Sequence, residues 1–195
     1  SPEDASQPTR LAAPNLNRLA ICRAIEFLGI IMQRDEVSVY VGLGANLGDA
    51  QQAVQNASAD LANLPLTQLV VCSSLYQSSP VDAQGPDFVN SVVHLKTRLN
   101  AIDFLHACQA IENRAGRERP YRNAPRTLDI DILMFGEATV ISEELILPHP
   151  RMKDRAFVLL PLNEIAPQWV IASDLLKVNG QVVRLVQSGV NSTTT

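Results

Sequence analysis

With 195 residues, 46% of them hydrophobic, the chain has material for one buried core, and its length favours one domain over two. A formal net charge of −4 argues against wrapping duplex nucleic acid, which calls for a basic face. The three cysteines, Cys22, Cys72 and Cys108, form no CxxC pair and no Cys/His cluster, which argues against zinc and for a reducing compartment.

Residues 1–18 set Pro2, Pro8 and Pro14 among polar residues and read as a flexible lead. Leu19, Ile21, Ile25, Leu28 and Met32 then recur near helical spacing and predict a short amphipathic helix. Arg23 and Glu26 interrupt it, it is shorter than the roughly 20 apolar residues of a spanning helix, and no small-residue cleavage site follows. The expected location is the cytoplasm, with no membrane partner. The expected division is an N-terminal extension over 1–36, one domain over 37–190 and a disordered tail over 191–195.

Val37, Val39 and Val41 alternate into Gly42-Leu43-Gly44, a strand expected to enter a tight turn. Asp49 opens a helix through Ala53, Val54, Ala57 and Leu61, which Pro65 ends. Residues 69–76 predict a strand, 78–87 a loop of turn formers, and 88–95 another strand. Asn100 is placed to cap a helix over 101–113, with Asp103 in its first turn and Gly116 at its exit. An arginine-rich loop leads to a strand over 127–135. Ile146-Leu147, a helix over 157–164 and β-prone pieces near Trp169 and Val182 complete the chain. Cys72 and Cys108 lie in apolar runs and read as small core residues. The order β-α-β-β-α-β predicts an α+β fold of ferredoxin-like type, an antiparallel sheet with both helices on one face, followed by C-terminal additions.

The sharpest chemical signal is Thr127-Leu128-Asp129-Ile130-Asp131-Ile132-Leu133. Strand alternation sends Leu128, Ile130 and Ile132 to one face and Asp129 and Asp131 to the other, the two carboxylates about 7 Å apart at Cα. Like charges that close call for a cation between them, and magnesium binds a few carboxylates together with phosphate oxygens and water. Two isolated aspartates on a solvated face would fit the same pattern. Arg114, Arg117, Arg119, Arg122 and Arg126 crowd the stretch before this strand, and guanidinium groups pair with phosphate oxygens. Carboxylates beside arginines, without a strong nucleophile, suit phosphoryl transfer. The arginines could equally be solvated or paired with the aspartates. No GxxxxGKS/T loop is present, and Gly42 to Gly48 has one residue too many for GxGxxG. His149 sits among Arg151, Lys153 and Arg155, where it could donate to phosphate. Phe88 and Phe157 could stack on a flat ring, and Asn90 could offer donor and acceptor to a heterocycle edge.

Residues 122–133, Arg-Asn-Ala-Pro-Arg-Thr-Leu-Asp-Ile-Asp-Ile-Leu, resemble the signature of the 6-hydroxymethyl-7,8-dihydropterin pyrophosphokinase family. Three further segments resemble that family in the same order: residues 42–49, Asp87-Phe88-Val89-Asn90, and Leu147-Pro148-His149-Pro150-Arg151-Met152. The resemblance covers about 39–170. It implies a ferredoxin-like fold, transfer of pyrophosphate from ATP to a reduced hydroxymethylpterin in folate synthesis, two magnesium ions, and AMP as product. It further implies that Asp129 and Asp131 ligate metal, and that Phe88 and Phe157 sandwich the pterin, with Phe88 where tyrosine is common. By the same likeness Asn90 holds the pterin edge, with Ser78 and Val81 in a loop beside it. Gln109, Glu112 and Ile132 fall on the ATP side. Arg117, Arg126, His149 and Arg155 fall among the phosphate contacts, Arg117 and Arg126 as catalytic groups, and Arg119 falls in a mobile loop. Asn123 stands where some members carry a tryptophan that closes over the site. A monomer acting on small molecules, without nucleic acid, is expected. Another aspartate-pair transferase or a ferredoxin-like RNA binder are the rival readings, the latter disfavoured by two aspartates on the sheet.

Overall fold

The computed structural model describes residues 34–80, 85–116 and 128–187. The helix expected over 19–32, Val81, Arg117, Arg119, Arg122, Asn123, Arg126 and the tail lie outside the described residues. From Glu36 onward the described residues belong to one compact unit.

The strands are β1 (Val37–Ala45), β2 (Thr67–Cys72), β3 (Tyr76–Ser78), β4 (Phe88–Thr97), β5 (Asp129–Phe135), β6 (Val140–Ile141), β7 (Ile146–Leu147) and β8 (Val183–Leu185). The helices are α1 (Ala50–Ala62), α2 (Ala101–Arg114), α3 (Ala156–Ile165) and α4 (Ala172–Lys177), with 3-10 turns at Met152–Asp154 and Pro167–Trp169. The starts of α1 and α2 follow the capping chemistry of the sequence. The Asp49 carboxylate accepts from Gln52 N–H at 3.0 Å, and Asn100 Oδ1 accepts from Asp103 N–H at 2.8 Å. At the exit of α2, Gly116 takes φ +85°, which only glycine adopts without strain.

One six-stranded sheet runs in the order β5-β1-β4-β3-β8, with β2 also paired to β4, and every pairing is antiparallel. It is mixed α/β architecture with a core on each sheet face. One core gathers Val39, Val41, Leu43, Ile130 and Ile132 with Val54 and Leu61 of α1 and Phe104, Cys108 and Ile111 of α2. The other gathers Tyr40, Val92 and Leu133 with Met152 and with Val158, Leu159 and Leu162 of α3. A register shift opposite Tyr40 and Val41 leaves Leu133 as an extra residue on β5, which lets Leu133 and Met134 both enter the second core. Among the described residues no helix is long and apolar enough to cross a membrane.

Several expectations are corrected. Gly42-Leu43-Gly44 is not a turn: β1 lies between two strands and is paired on both sides through Gly44, so the chain turns only at Asn46 and beyond. The single strand expected over 69–76 is two. Ser73 Oγ accepts Val92 N–H at 2.9 Å, a hydroxyl taking the place of a main-chain carbonyl, and the chain leaves the ladder until Tyr76. Ser78 accordingly closes β3 instead of lying in a loop. Trp169 ends a 3-10 turn begun by Pro167, whose ring fixes a helical φ, and α4 follows where no helix was foreseen. Cys72 is exposed beside Ser58, whereas Cys108 is buried.

Candidate active site

Strand register assembles the site. Asp129 lies opposite Gly44, Gly44 opposite Asn90, and Asn90 opposite Tyr76, so these four form one row across β5, β1, β4 and β3. Asp131, Gly42 and Val92 form the next row. At the usual strand spacing, Asp129 and Asn90 stand about 10 Å apart at Cα. Neither glycine puts a side chain of its own between these rows, and neighbouring side chains lie close over both. A Cβ on Gly44 would meet Asn90 Oδ1 at 3.2 Å, and one on Gly42 would meet the Leu133 side chain at 3.5 Å. A glycine inside a strand pattern signals such close approach, and this was the cue available in the sequence.

The alternation expected for β5 holds: Leu128, Ile130 and Ile132 are buried, while Asp129 and Asp131 are half-buried on the opposite face, the face that carries α3. Arg155, at the start of α3, places Nη1 3.3 Å from Asp131 Oδ2. His149 Nε2 lies 3.9 Å from the same oxygen. Its Nδ1 accepts the Arg151 N–H at 3.2 Å, so in the neutral ring the proton sits on Nε2, toward Asp131. Burial lowers the His149 pKa, the nearby Asp131 charge opposes that, and the charges of Arg155 and Arg151 add to it. The shift favours the neutral ring, whose N–H is then at Nε2. The Arg155 guanidinium also covers the Phe157 ring, 5.5 Å from its centroid.

Asn90 is 4% exposed, and its Nδ2 donates to Ser78 Oγ at 2.9 Å. Phe88 and Phe157 are both half-buried. Behind β5, the Glu112 carboxylate accepts the Ile130 backbone N–H at 3.0 Å. Gln109 is exposed on α2. A cleft of about 280 Å³ opens along the outer edge of β5, lined by Ile132, Asp131 and His149 together with Leu105, Glu143 and Glu144. The last three escaped sequence reasoning, since an α2 residue and a loop some 40 residues later meet only in three dimensions. The structure thus brings Asp131, His149, Arg155 and Ile132 together, and Asn90 with Ser78. Val81, Arg117, Arg119 and Arg126 lie outside the described residues.

Among the described residues no group of three or more His, Cys, Asp or Glu gathers. The donor set at Asp129 and Asp131 is two hard carboxylates on one strand face, beside cationic side chains. It fits magnesium, which completes its shell with phosphate oxygens and water.

A family model described as 7,8-dihydro-6-hydroxymethylpterin-pyrophosphokinase matches residues 40–167. The 2-amino-4-hydroxy-6-hydroxymethyldihydropteridine pyrophosphokinase of Pseudomonas aeruginosa is 48% identical over 130 residues, 66% of this chain and 80% of that one. The protein of the same name from Bacillus subtilis is 42% identical over 130 residues, 66% of this chain and 78% of that one. A crystal structure of Plasmodium falciparum HPPK-DHPS with pterin and p-hydroxybenzoate shares the fold, with a TM-score of 0.55 and 16% identity over 71% of this chain. This chain covers 41% of the length of that one.

Proposed function

The chain belongs to the 7,8-dihydro-6-hydroxymethylpterin-pyrophosphokinase family, and on that premise we propose how its residues divide the work. It is an ATP- and magnesium-dependent enzyme that transfers pyrophosphate from ATP to the hydroxymethyl group of 6-hydroxymethyl-7,8-dihydropterin, releasing AMP, in folate biosynthesis. The observation that supports the division is the row Asp129–Gly44–Asn90, which sets a carboxylate and a carboxamide on one sheet face with a glycine between them.

Asn90, held by Ser78, takes the pterin edge, with Phe88 and Phe157 on its faces and Val81 beside it. Asp129 and Asp131 would hold two magnesium ions, which would supply charge neutralisation for the transfer. His149 donates from Nε2 to a phosphate oxygen. Arg155 turns from Asp131 to phosphate as the charge of ATP arrives, and Arg117, Arg119 and Arg126 complete the cationic set. Arg117 and Arg126 take the catalytic share, neutralising charge as the pyrophosphoryl group moves. Ile132 and Gln109 lie on the ATP side, and Glu112 serves it by fixing β5 from behind. Attack is in line, by the pterin hydroxymethyl oxygen on the β-phosphorus.

The strand order and the placement of α1 and α2 support a ferredoxin-like core over 37–190, with 1–36 as an extension and 191–195 as a tail. The expected state is a cytoplasmic monomer. Incubation with ATP, magnesium and the reduced hydroxymethylpterin, followed by nucleotide analysis, tests the reaction: AMP is expected. ADP would indicate an ordinary kinase, and free pyrophosphate with a nucleotidylated pterin would indicate a nucleotidyltransferase.

A further inference from the structure

Arg155 is the N-cap residue of α3, yet its side chain caps nothing. A guanidinium has no acceptor to offer the open N–H groups of a helix start, and this one reaches Asp131 instead. The missing partner comes from far along the chain. Gln181 Oε1 accepts the Ala156 N–H at 2.9 Å, and Gln181 Nε2 donates to the Asp154 carbonyl at 2.8 Å. One amide therefore grips the main chain on both sides of Arg155. The two backbone partners, one donor and one acceptor, admit a single orientation of that amide.

Gln181 is itself anchored. Its N–H donates to the Val178 carbonyl at 2.9 Å, and Val178 is buried in the α3-side core. Helix α4, just before it, is tied to the Met152–Asp154 turn through Asp174, 2% exposed, whose Oδ2 lies 3.3 Å from Lys153 Nζ. Gln181 also lies beyond residues 40–167, so the family match assigns it nothing.

We propose that Gln181 is a positioning residue for Arg155, setting the angle at which the guanidinium leaves α3 toward Asp131 and the ATP phosphates. The proposal rests on the reading of Arg155 as a phosphate contact. Removing the clamp frees the backbone at residues 154–156, and a long side chain magnifies a small backbone rotation at its tip.

The test uses the full chain with four variants: Arg155→Ala, Gln181→Leu, Gln181→Glu, and Arg155→Ala with Gln181→Leu. Arg155→Ala is expected to raise the KM for ATP about tenfold or more. Gln181→Leu, which loses both bonds, is expected to raise it about fivefold while the KM for the pterin moves less than about twofold. Gln181→Glu keeps the acceptor for Ala156 N–H and loses the donor, so a rise of about twofold is expected. The double variant should be no worse than Arg155→Ala alone, because a residue acting through Arg155 has nothing left to act on. An unchanged ATP KM in Gln181→Leu overturns the proposal. So does a defect that persists in the Arg155→Ala background, or one that raises both KM values alike. Should Gln181→Leu fail to fold, the ATP-over-pterin split in Gln181→Glu decides the matter alone. An unchanged ATP KM in Arg155→Ala itself would bring down the phosphate reading, a failure separate from that of the clamp.

Discussion

Gly44 and Asn90 face one another across the β1–β4 ladder, with space between them for a hydrogen atom but not for a methyl group. A Cβ at Gly44 would stand 3.2 Å from Asn90 Oδ1, and Ser78 on the far side limits how far the amide retreats. Gly44→Ala should therefore displace the amide by a few tenths of an ångström and raise the pterin KM several-fold, leaving the ATP KM nearly unchanged. Asn90→Ala gives the reference for a complete loss. Equal effects on both substrates, measured by steady-state kinetics, would detach Asn90 from the pterin.

Asp131 gathers Arg155 and His149 within 4 Å and shares its strand face with Asp129. Asp131→Ala should lower turnover about a thousandfold, the several kcal/mol that metal-assisted charge neutralisation supplies. Circular dichroism should be unchanged, since the side chain is only half-buried. Near-normal AMP production with magnesium would remove Asp131 from the metal site.

Glu112 is 4% exposed and satisfies the Ile130 N–H, which points away from β1 at the outer edge of the sheet. Glu112→Leu should cost about 1–3 kcal/mol in urea unfolding, the penalty for a buried donor left open. Glu112→Gln, which keeps an acceptor oxygen, should cost less. If both variants unfolded at the wild-type midpoint, β5 would owe nothing to this contact.

Glu164 on α3 accepts from Ser74 N–H and Ser74 Oγ at 2.9 Å and from Tyr76 OH at 2.8 Å. Burial opposes its charge, but these three bonds prevail and hold the carboxyl below the usual range. A lowered folded pKa means the stabilisation is complete above the unfolded value, roughly 4.3, and fades as pH falls through the folded one. Melting temperatures of wild type and Glu164→Gln should therefore differ at pH 7 and converge toward pH 3. The Tyr76 hydroxyl, pushed up to about 12 by burial and then by the hydrogen bond to Glu164 and its charge, stays a donor across that range. A gap that widened on acidification would contradict the assignment.

The parts of this molecule that were legible in the sequence are those fixed by local chemistry. Asp49 and Asn100 cap helices because their side chains reach an N–H three residues on, a relation written within four letters. The burial of Ile130 and Ile132 against the partial exposure of Asp129 and Asp131 follows from strand alternation. What escaped depends on distant partners. Gly42 and Gly44 resemble a turn until two flanking strands pair with them. Ser73 ends a ladder only because Val92 lies across from it. Glu143 and Glu144 border the cleft through a loop that no periodicity marks. Gln181 reaches Ala156 over 25 residues of sequence.

The two-sided packing of the sheet has a practical corollary. The chemistry-bearing side chains Asp131, Asn90, Arg155 and His149 gather on the α3 side, whereas Phe104, Cys108, Ile111, Val54 and Leu61 fill the opposite layer. That layer is not sealed from the site: Ile132 belongs to it and lines the cleft, and α2, which fills it, carries Leu105 on the cleft and Glu112 against β5. An engineer wishing to leave the working surface untouched would therefore confine core changes to positions such as Val54 and Leu61, on the helix packed against β1 and β4, where volume-conserving swaps cost less than about 1.5 kcal/mol.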